Sequence, residues 1–182
     1  GGSTKEASDK QSKGGGISIG IEGGVAATSD DVTVNNDGLI YTGGAESRGI
    51  LAQSIGGGGG VGGSASATLV FAGSGAWLAV GASGGEGAES GDVYVTNNGL
   101  IETAGDSSDG ILAQAIGGGG GLGGSTRAIG LQITGGKEET QNTAVIGIGG
   151  SGGEGALGGQ VFVENAGRIL TAGDKGFGIR AQ

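Results

Sequence analysis

One long segment of this chain occurs three times. From Asp31 it reads DVTVNNDGLIYTGGAESRGILAQSIGGGGGVGGS, from Asp92 DVYVTNNGLIETAGDSSDGILAQAIGGGGGLGGS, and from Gln160 QVFVENAGRILTAGDKGFGIRAQ. The second copy starts 61 residues after the first and the third 68 after the second, so the last repeat holds seven extra residues, which alignment places near 135–142. This divides the chain into repeat 1 (1–61, with a polar stretch at 1–16 expected to fray or cap), repeat 2 (62–122) and repeat 3 (123–182). A fixed period of this kind marks supersecondary units that bury their apolar faces only against their neighbours. One continuous solenoid domain is therefore expected.

Within each copy the pattern has period two. Val32/Val93/Val161 and Val34/Val95/Val163 are invariant, while Thr33/Tyr94/Phe162 between them vary. Ile40/Ile101/Ile169, Thr42/Thr103/Thr171, Ile50/Ile111/Ile179 and Ala52/Ala113/Ala181 repeat the arrangement, again with changing residues between. Alternation of this kind places the fixed residues on an inner face and the variable ones outside a pleated strand. No 3.6-residue apolar stripe runs far enough for a helix. The expected fold is all-β: a parallel β-helix, or β-solenoid. With coils of about 20 residues, each repeat would make roughly three coils. Equivalent residues of adjacent repeats would then lie on the order of 14 Å apart, out of contact. Gly38, Gly99 and Gly167, each after an Asn- or Asp-rich pair, are read as positive-φ corners.

Glycine supplies 51 of the 182 residues, yet there is no proline and no strict Gly-X-Y period, which excludes collagen. The pentaglycine runs 56–60 and 117–121 return unchanged. Ordering five glycines costs more backbone entropy than ordering any other run. Exact repetition at that cost predicts an ordered segment where backbone approaches backbone or a neighbouring chain, in preference to a loose excursion. The formal charge is −9, with scattered Lys and Arg, no histidine and no cysteine. Nucleic acid and anionic membrane are poor partners for such a surface.

The segments GILAQSIGGGGG (49–60) and GILAQAIGGGGG (110–121), the latter preceded by NNGLIETAGDSSDGI, resemble the passenger domains of bacterial autotransporters. The resemblance runs from about Gly14 to Gln182. It implies right-handed β-helix winding, export through the Gram-negative outer membrane to an extracellular, cell-surface location, and a membrane barrel outside this sequence.

Catalytic patterns are weak. GxGxxG at 147–152 is followed by GEGALGGQ instead of a helix, so no cofactor is expected. Glycine-rich stretches around Glu86 and Glu154 lack the tandem nine-residue carboxylate spacing of calcium repeats, so no metal is assigned. Asp37, Asp106, Asp109 and Asp174 sit beside Gly and Ser in turns, where a carboxylate caps backbone. No histidine is available for a triad. The expectation is a non-enzymatic structural or interaction segment acting in adhesion or self-association. The alternative is a polysaccharide-cleaving or glycan-binding β-helix module. Homotypic contacts, end-to-end or side-to-side, and a host or surface glycan or protein receptor are the expected partners. The candidate interaction surface comprises Thr33, Tyr41, Tyr94 and Phe162, outward-facing on the β-pattern.

Overall fold

A computed structural model of the chain describes residues 4–8, 14–71, 75–132 and 143–182. The insertion expected near 135–142 lies outside the described residues, as does the polar opening except for 4–8 and 14–16. Repeat 1 contributes β1 (Thr4–Ser8), β2 (Gly14–Ile19), β3 (Val32–Asn36), β4 (Leu39–Thr42) and β5 (Ile50–Ile55). Repeat 2 contributes β6 (Ala65–Phe71), β7 (Gly75–Val80), β8 (Val93–Asn97), β9 (Leu100–Thr103) and β10 (Ile111–Ile116). Repeat 3 contributes β11 (Thr126–Gln132), β12 (Thr143–Ile148), β13 (Val161–Asn165), β14 (Arg168–Thr171) and β15 (Ile179–Ala181). No helix occurs among the described residues, and the strands stack in parallel, as a β-solenoid requires.

There are five three-stranded sheets, and each takes one strand from every repeat, with the repeat-2 strand in the middle. Val32 pairs with Val93 and Val93 with Val161, and Ile50 pairs with Ile111 and Ile111 with Ile179. Equivalent residues of successive repeats are thus direct neighbours, which corrects the expectation of three coils per repeat. The reason is where the residues go. Each repeat spends its length on five strands and on long glycine-rich connections, so strand-bearing layers recur once per repeat.

The described chain forms two compact units, and both take a share of every repeat: Gly1–Ala26, Gly58–Gly87 and Gly119–Gly155 make one, and Ala27–Gly57, Ala88–Gly118 and Ala156–Gln182 the other. The second unit holds the sheets β3-β8-β13, β4-β9-β14 and β5-β10-β15. Its core is the invariant set: Val93, Val95, Ile101, Ile111 and Ala113 are at most 1% exposed, with Val32, Val34, Ile40, Val161, Val163 and Ile169 packed above and below. Burying each Val or Ile contributes about 1.5–3 kcal/mol. The β-branched choice suits a pleated face crowded by identical neighbours. The first unit holds β1-β6-β11 and β2-β7-β12. Its core is thinner, with Ala65, Ala67 and Ala79 around one large side chain, Trp77. The indole fills space that repeat 1 leaves open, since a Cβ on Gly16 would lie 2.0 Å from the Trp77 ring.

The glycine-rich connections are ordered by a three-residue period. In the first unit the amides of Gly20, Gly23 and Ala26 donate to the carbonyls of Val80, Ser83 and Glu86, and those of Gly81, Gly84 and Gly87 donate to Ile148, Ser151 and Glu154. A second set runs antiparallel: Gly60 and Gly63 donate to Gly24 and Ile21, Ala82 and Gly85 to Gly63 and Gly60, and Gly121 and Gly124 to Gly85 and Ala82. A bond at every third residue, all of them to other segments, is the signature of polyproline II helices packed side by side, here built without proline. The second unit continues the pattern, with Ser29 donating to Glu89, Ala88 to Gly57 and Gly118 to Ala88. Glycine is needed where two segments touch: a Cβ on Gly121 would sit 1.9 Å from the carbonyl oxygen of Gly60.

The positive-φ corners fall elsewhere than expected. Gly38, Gly99 and Gly167 do not occupy the left-handed region; Gly99 and Gly167 are required because a Cβ would lie 1.9 and 2.0 Å from the carbonyl oxygen of the preceding layer. Left-handed backbone occurs instead at Glu46, Ser107 and Lys175, with φ of 56°, 55° and 59°, one equivalent position per repeat.

Candidate interaction surface

The sheet β3-β8-β13 carries Thr33, Tyr94 and Phe162 at one register position. The rings of Tyr94 and Phe162 stack with centroids 5.1 Å apart and planes within 3°. They are 37% and 48% exposed, so their edges face solvent while their faces meet each other. The spacing follows from the parallel register: identical positions in neighbouring strands are about 4.8 Å apart, which is the contact distance of two offset rings. Such a pair contributes about 0.5–1.5 kcal/mol beyond its buried area. The Tyr94 hydroxyl donates to Oδ2 of Asp92 at 3.0 Å. That hydrogen bond, followed by partial burial and the charges of Asp92 and Asp31, raises the phenol above its ordinary pKa of 10.0.

Tyr41 does not join this column. It lies on β4 in register with Glu102, on the sheet β4-β9-β14, and is 63% exposed. Leu39 is also exposed on that strand, and Leu170 on β14. The third sheet of the unit shows a glutamine ladder on its outer side: Gln53 donates to Gln114, and Gln114 donates to Gln182 at 2.7 Å.

Two features were not found by reading the sequence. The first is Asp109, a carboxylate 1% exposed beside Arg48 (3.8 Å) and Arg180 (3.4 Å). It accepts the Phe177 amide at 3.1 Å, and the Arg180 guanidinium lies 4.5 Å over the Phe177 ring. Arg48, Asp109 and Phe177 are equivalent positions of the three repeats. Stacking one repeat directly on the next brings Arg48 beside Asp109, so the repeat alignment carries the signal for this ion pair. The second is a cavity of about 710 Å³ in the first unit, bordered by Gly16, Ile17, Trp77, Leu78, Ala144 and Ile146. Here the signal was a lone Trp aligned with Gly in one copy and Val in another.

Of the other candidate carboxylates, Asp106 and Asp37 link adjacent layers. Asp106 accepts the amide of Asp174 at 2.9 Å, and Asp37 accepts from Asn98 at 2.9 Å. Among the described residues no group of three or more Asp or Glu is arranged to hold a metal ion. The GxGxxG stretch runs from the end of β12 into a glycine-rich segment with no helix after it.

No protein-family model matches the chain, and no curated protein matches it. One solved structure shows a likeness, the nine polyproline type II helical bundle springtail antifreeze protein from Granisotoma rainieri. It is 23% identical over 74% of this chain and 94% of that one, with a TM-score of 0.18. At that score nothing about this chain follows from it.

Proposed function

We propose that this chain is a structural and interaction segment of an exported bacterial surface protein, acting in adhesion or self-association through outward β-columns. The observation that carries the reading is the division of labour in the second unit. Inward positions are the same in all three repeats, while the outward column changes from Thr33 to Tyr94 to Phe162 and remains exposed. The stacked pair strengthens its own sheet, but its edges and the exposed aliphatic side chains beside it stay in solvent, and such columns suit contact with another surface. Cell-surface location forms part of the proposal and rests on the likeness of GILAQSIGGGGG and GILAQAIGGGGG to autotransporter passengers. Right-handed winding is the sense that parallel crossovers favour.

Self-association has two routes. Side-to-side contact would use Tyr41, Tyr94 and Phe162. End-to-end contact would use the repeat-1 and repeat-3 strands, each of which pairs on one side only in these sheets, so a further coil could add there. Light scattering over a concentration series tests the reading, with the wild-type chain beside a Tyr41→Ser/Tyr94→Ser/Phe162→Ser variant. Association of the wild type that weakens in the variant supports the column route, and association unchanged in the variant supports the end-to-end route. A chain that stays monomeric at all concentrations and does not adhere to cells or glycan-coated beads defeats the proposal.

A further inference from the structure

We infer that the second unit presents two complementary ends, and that the repeat-3 end takes the repeat-1 end of a second copy of this chain. The two copies dock head to tail, in the register that joins repeat 2 to repeat 3. The inference specifies the end-to-end route of the self-association reading above and rests on that reading. Repeat 2 shows what a covered layer looks like: Ile111 is 0% exposed between Ile50 and Ile179, whereas Ile179 is 42% exposed. The backbone bonds between layers also recur. Val32 and Gly49 donate to the carbonyls of Asp92 and Asp109, and one layer on Val93 and Gly110 donate to Gln160 and Phe177. A further layer in the same register joins the amides of Val161 and Gly178 to the carbonyls of Asp31 and Arg48 of the second copy.

Two ladders give the ends opposite polarity. Asn36 donates to Asn97 and Asn97 to Asn165, while Gln53 donates to Gln114 and Gln114 to Gln182. Both run in the same sense, so repeat 1 offers side-chain oxygens to a further layer and repeat 3 offers amide nitrogens. Asn97 donates to both the Gly99 carbonyl and Asn165; Asn165 donates to the Gly167 carbonyl at 3.1 Å, and its second N–H is the one a further Asn36 would accept. Two like ends would set acceptor against acceptor or donor against donor. Charge favours the same pairing. The repeat-1 segment 27–57 has Asp30, Asp31, Asp37 and Glu46 against Arg48, a side-chain charge of −3, and the repeat-3 segment 156–182 has Arg168, Lys175 and Arg180 against Glu164 and Asp174, a charge of +1. One pair falls in register. Glu46, Ser107 and Lys175 hold the same left-handed position in successive layers, which are about 4.8 Å apart. Head-to-tail docking therefore sets Glu46 of the second copy beside Lys175, both exposed in the single chain. Like ends would oppose Glu46 to Glu46 or Lys175 to Lys175.

Sedimentation velocity of the 182-residue chain over a concentration series at low salt tests the junction, with circular dichroism to compare the fold of each variant. A head-to-tail contact is heterologous, so the wild type is expected to grow through species of increasing size and not to stop at a dimer. Glu46→Lys and Lys175→Glu each place like charges at the junction and should weaken association about tenfold, less at high salt. Glu46→Gln and Lys175→Gln, which remove a charge without reversing it, should fall in between. An equimolar mixture of the two reversed variants restores a Lys–Glu pair at every junction between unlike chains, and should associate as the wild type does. A wild type that stops at a closed dimer, reversed variants that associate unchanged, or a mixture no tighter than its components overturns the junction; self-association itself then stands, by the column route. A wild type monomeric at every concentration also overturns the junction, and adhesion to cells or glycan-coated beads then decides the wider reading on its own.

Discussion

The side-chain amide of Asn97 donates to Oδ1 of Asn165 at 2.6 Å, across a parallel pair whose members are 68 residues apart in sequence. Asn36 donates to Asn97 in the same way at 2.7 Å, and Asn97 is fully buried. This ladder uses both halves of the amide, its oxygen toward one repeat and its nitrogen toward the next, as only Asn or Gln can. Asn97→Asp keeps the acceptor but turns the donating end into a second carboxylate oxygen facing Asn165 Oδ1. The variant is expected to lose about 2–4 kcal/mol at neutral pH, from a broken bond and an uncompensated buried charge. Urea unfolding at pH 7 and pH 4 checks this. Burial favours the protonated form of the new carboxyl, so part of the loss should return at the lower pH.

The two faces of a glycine segment should respond to alanine in opposite directions. At Gly121 the added methyl group meets the Gly60 carbonyl at 1.9 Å, whereas at Gly119 it meets nothing within 4 Å. Gly121→Ala is expected to cost about 2–3 kcal/mol through overpacking. Gly119→Ala is expected to stabilise by about 0.4–1 kcal/mol by restricting the unfolded chain. Chemical denaturation of the two variants in parallel separates close packing from mere glycine content.

Left-handed backbone at Glu46, Ser107 and Lys175 carries strain that glycine would relieve. Ser107→Gly is expected to raise stability by about 1 kcal/mol, because the side chain is exposed and the amide bond to the Asp174 carbonyl is kept. The same exchange at Lys175 should act alike. Differential scanning calorimetry of the single and double variants tests both the effect and its additivity.

The Tyr94 phenol is held above its ordinary range chiefly by its bond to Asp92. In the folded state the neutral, protonated form is favoured relative to the unfolded chain. The resulting stabilisation is fully present below the unfolded pKa and disappears as pH rises through the folded one. Ultraviolet titration of a Tyr41→Phe chain, in which Tyr94 is the only phenol, should show ionisation displaced to higher pH. Asp92→Asn should bring it back down. An unmoved titration in that variant would show that Asp92 is not the cause.

Period-two alternation was legible because it is written in side chains: Val-x-Val and Ile-x-Thr return in every copy, and those residues line the core of the second unit. The three-residue period of the connections was not, because in a pentaglycine run every phase of the pattern is the same residue. Only its contacts distinguish Gly119 from Gly121. Coil length bears on the ion pair as well. With equivalent positions placed three coils apart, Arg48 and Asp109 could not meet, and Asp109 read as one more turn carboxylate. The repeat alignment already sets Thr33, Tyr94 and Phe162 at one position and Tyr41 on the following strand, and the structure has the first three in one column of β3-β8-β13 and Tyr41 on β4-β9-β14.

The packing of the glycine segments also constrains how such a gene can change. Runs of glycine codons are prone to gain or lose units during replication, and a one-residue change would seem harmless in a tract of identical residues. In a three-residue helix it rotates everything downstream by a third of a turn. Losing one codon from the run before Val61 would carry that side chain from its exposed position to one where Gly60 now meets the backbone of Gly24. Changes by whole triplets keep each residue on its face, but they shift the antiparallel neighbour out of step unless it changes too. Packing in this part of the sequence therefore requires fixed tract lengths, while between β11 and β12 the pairing offset passes from 61 to 68 with both flanking strands still in register.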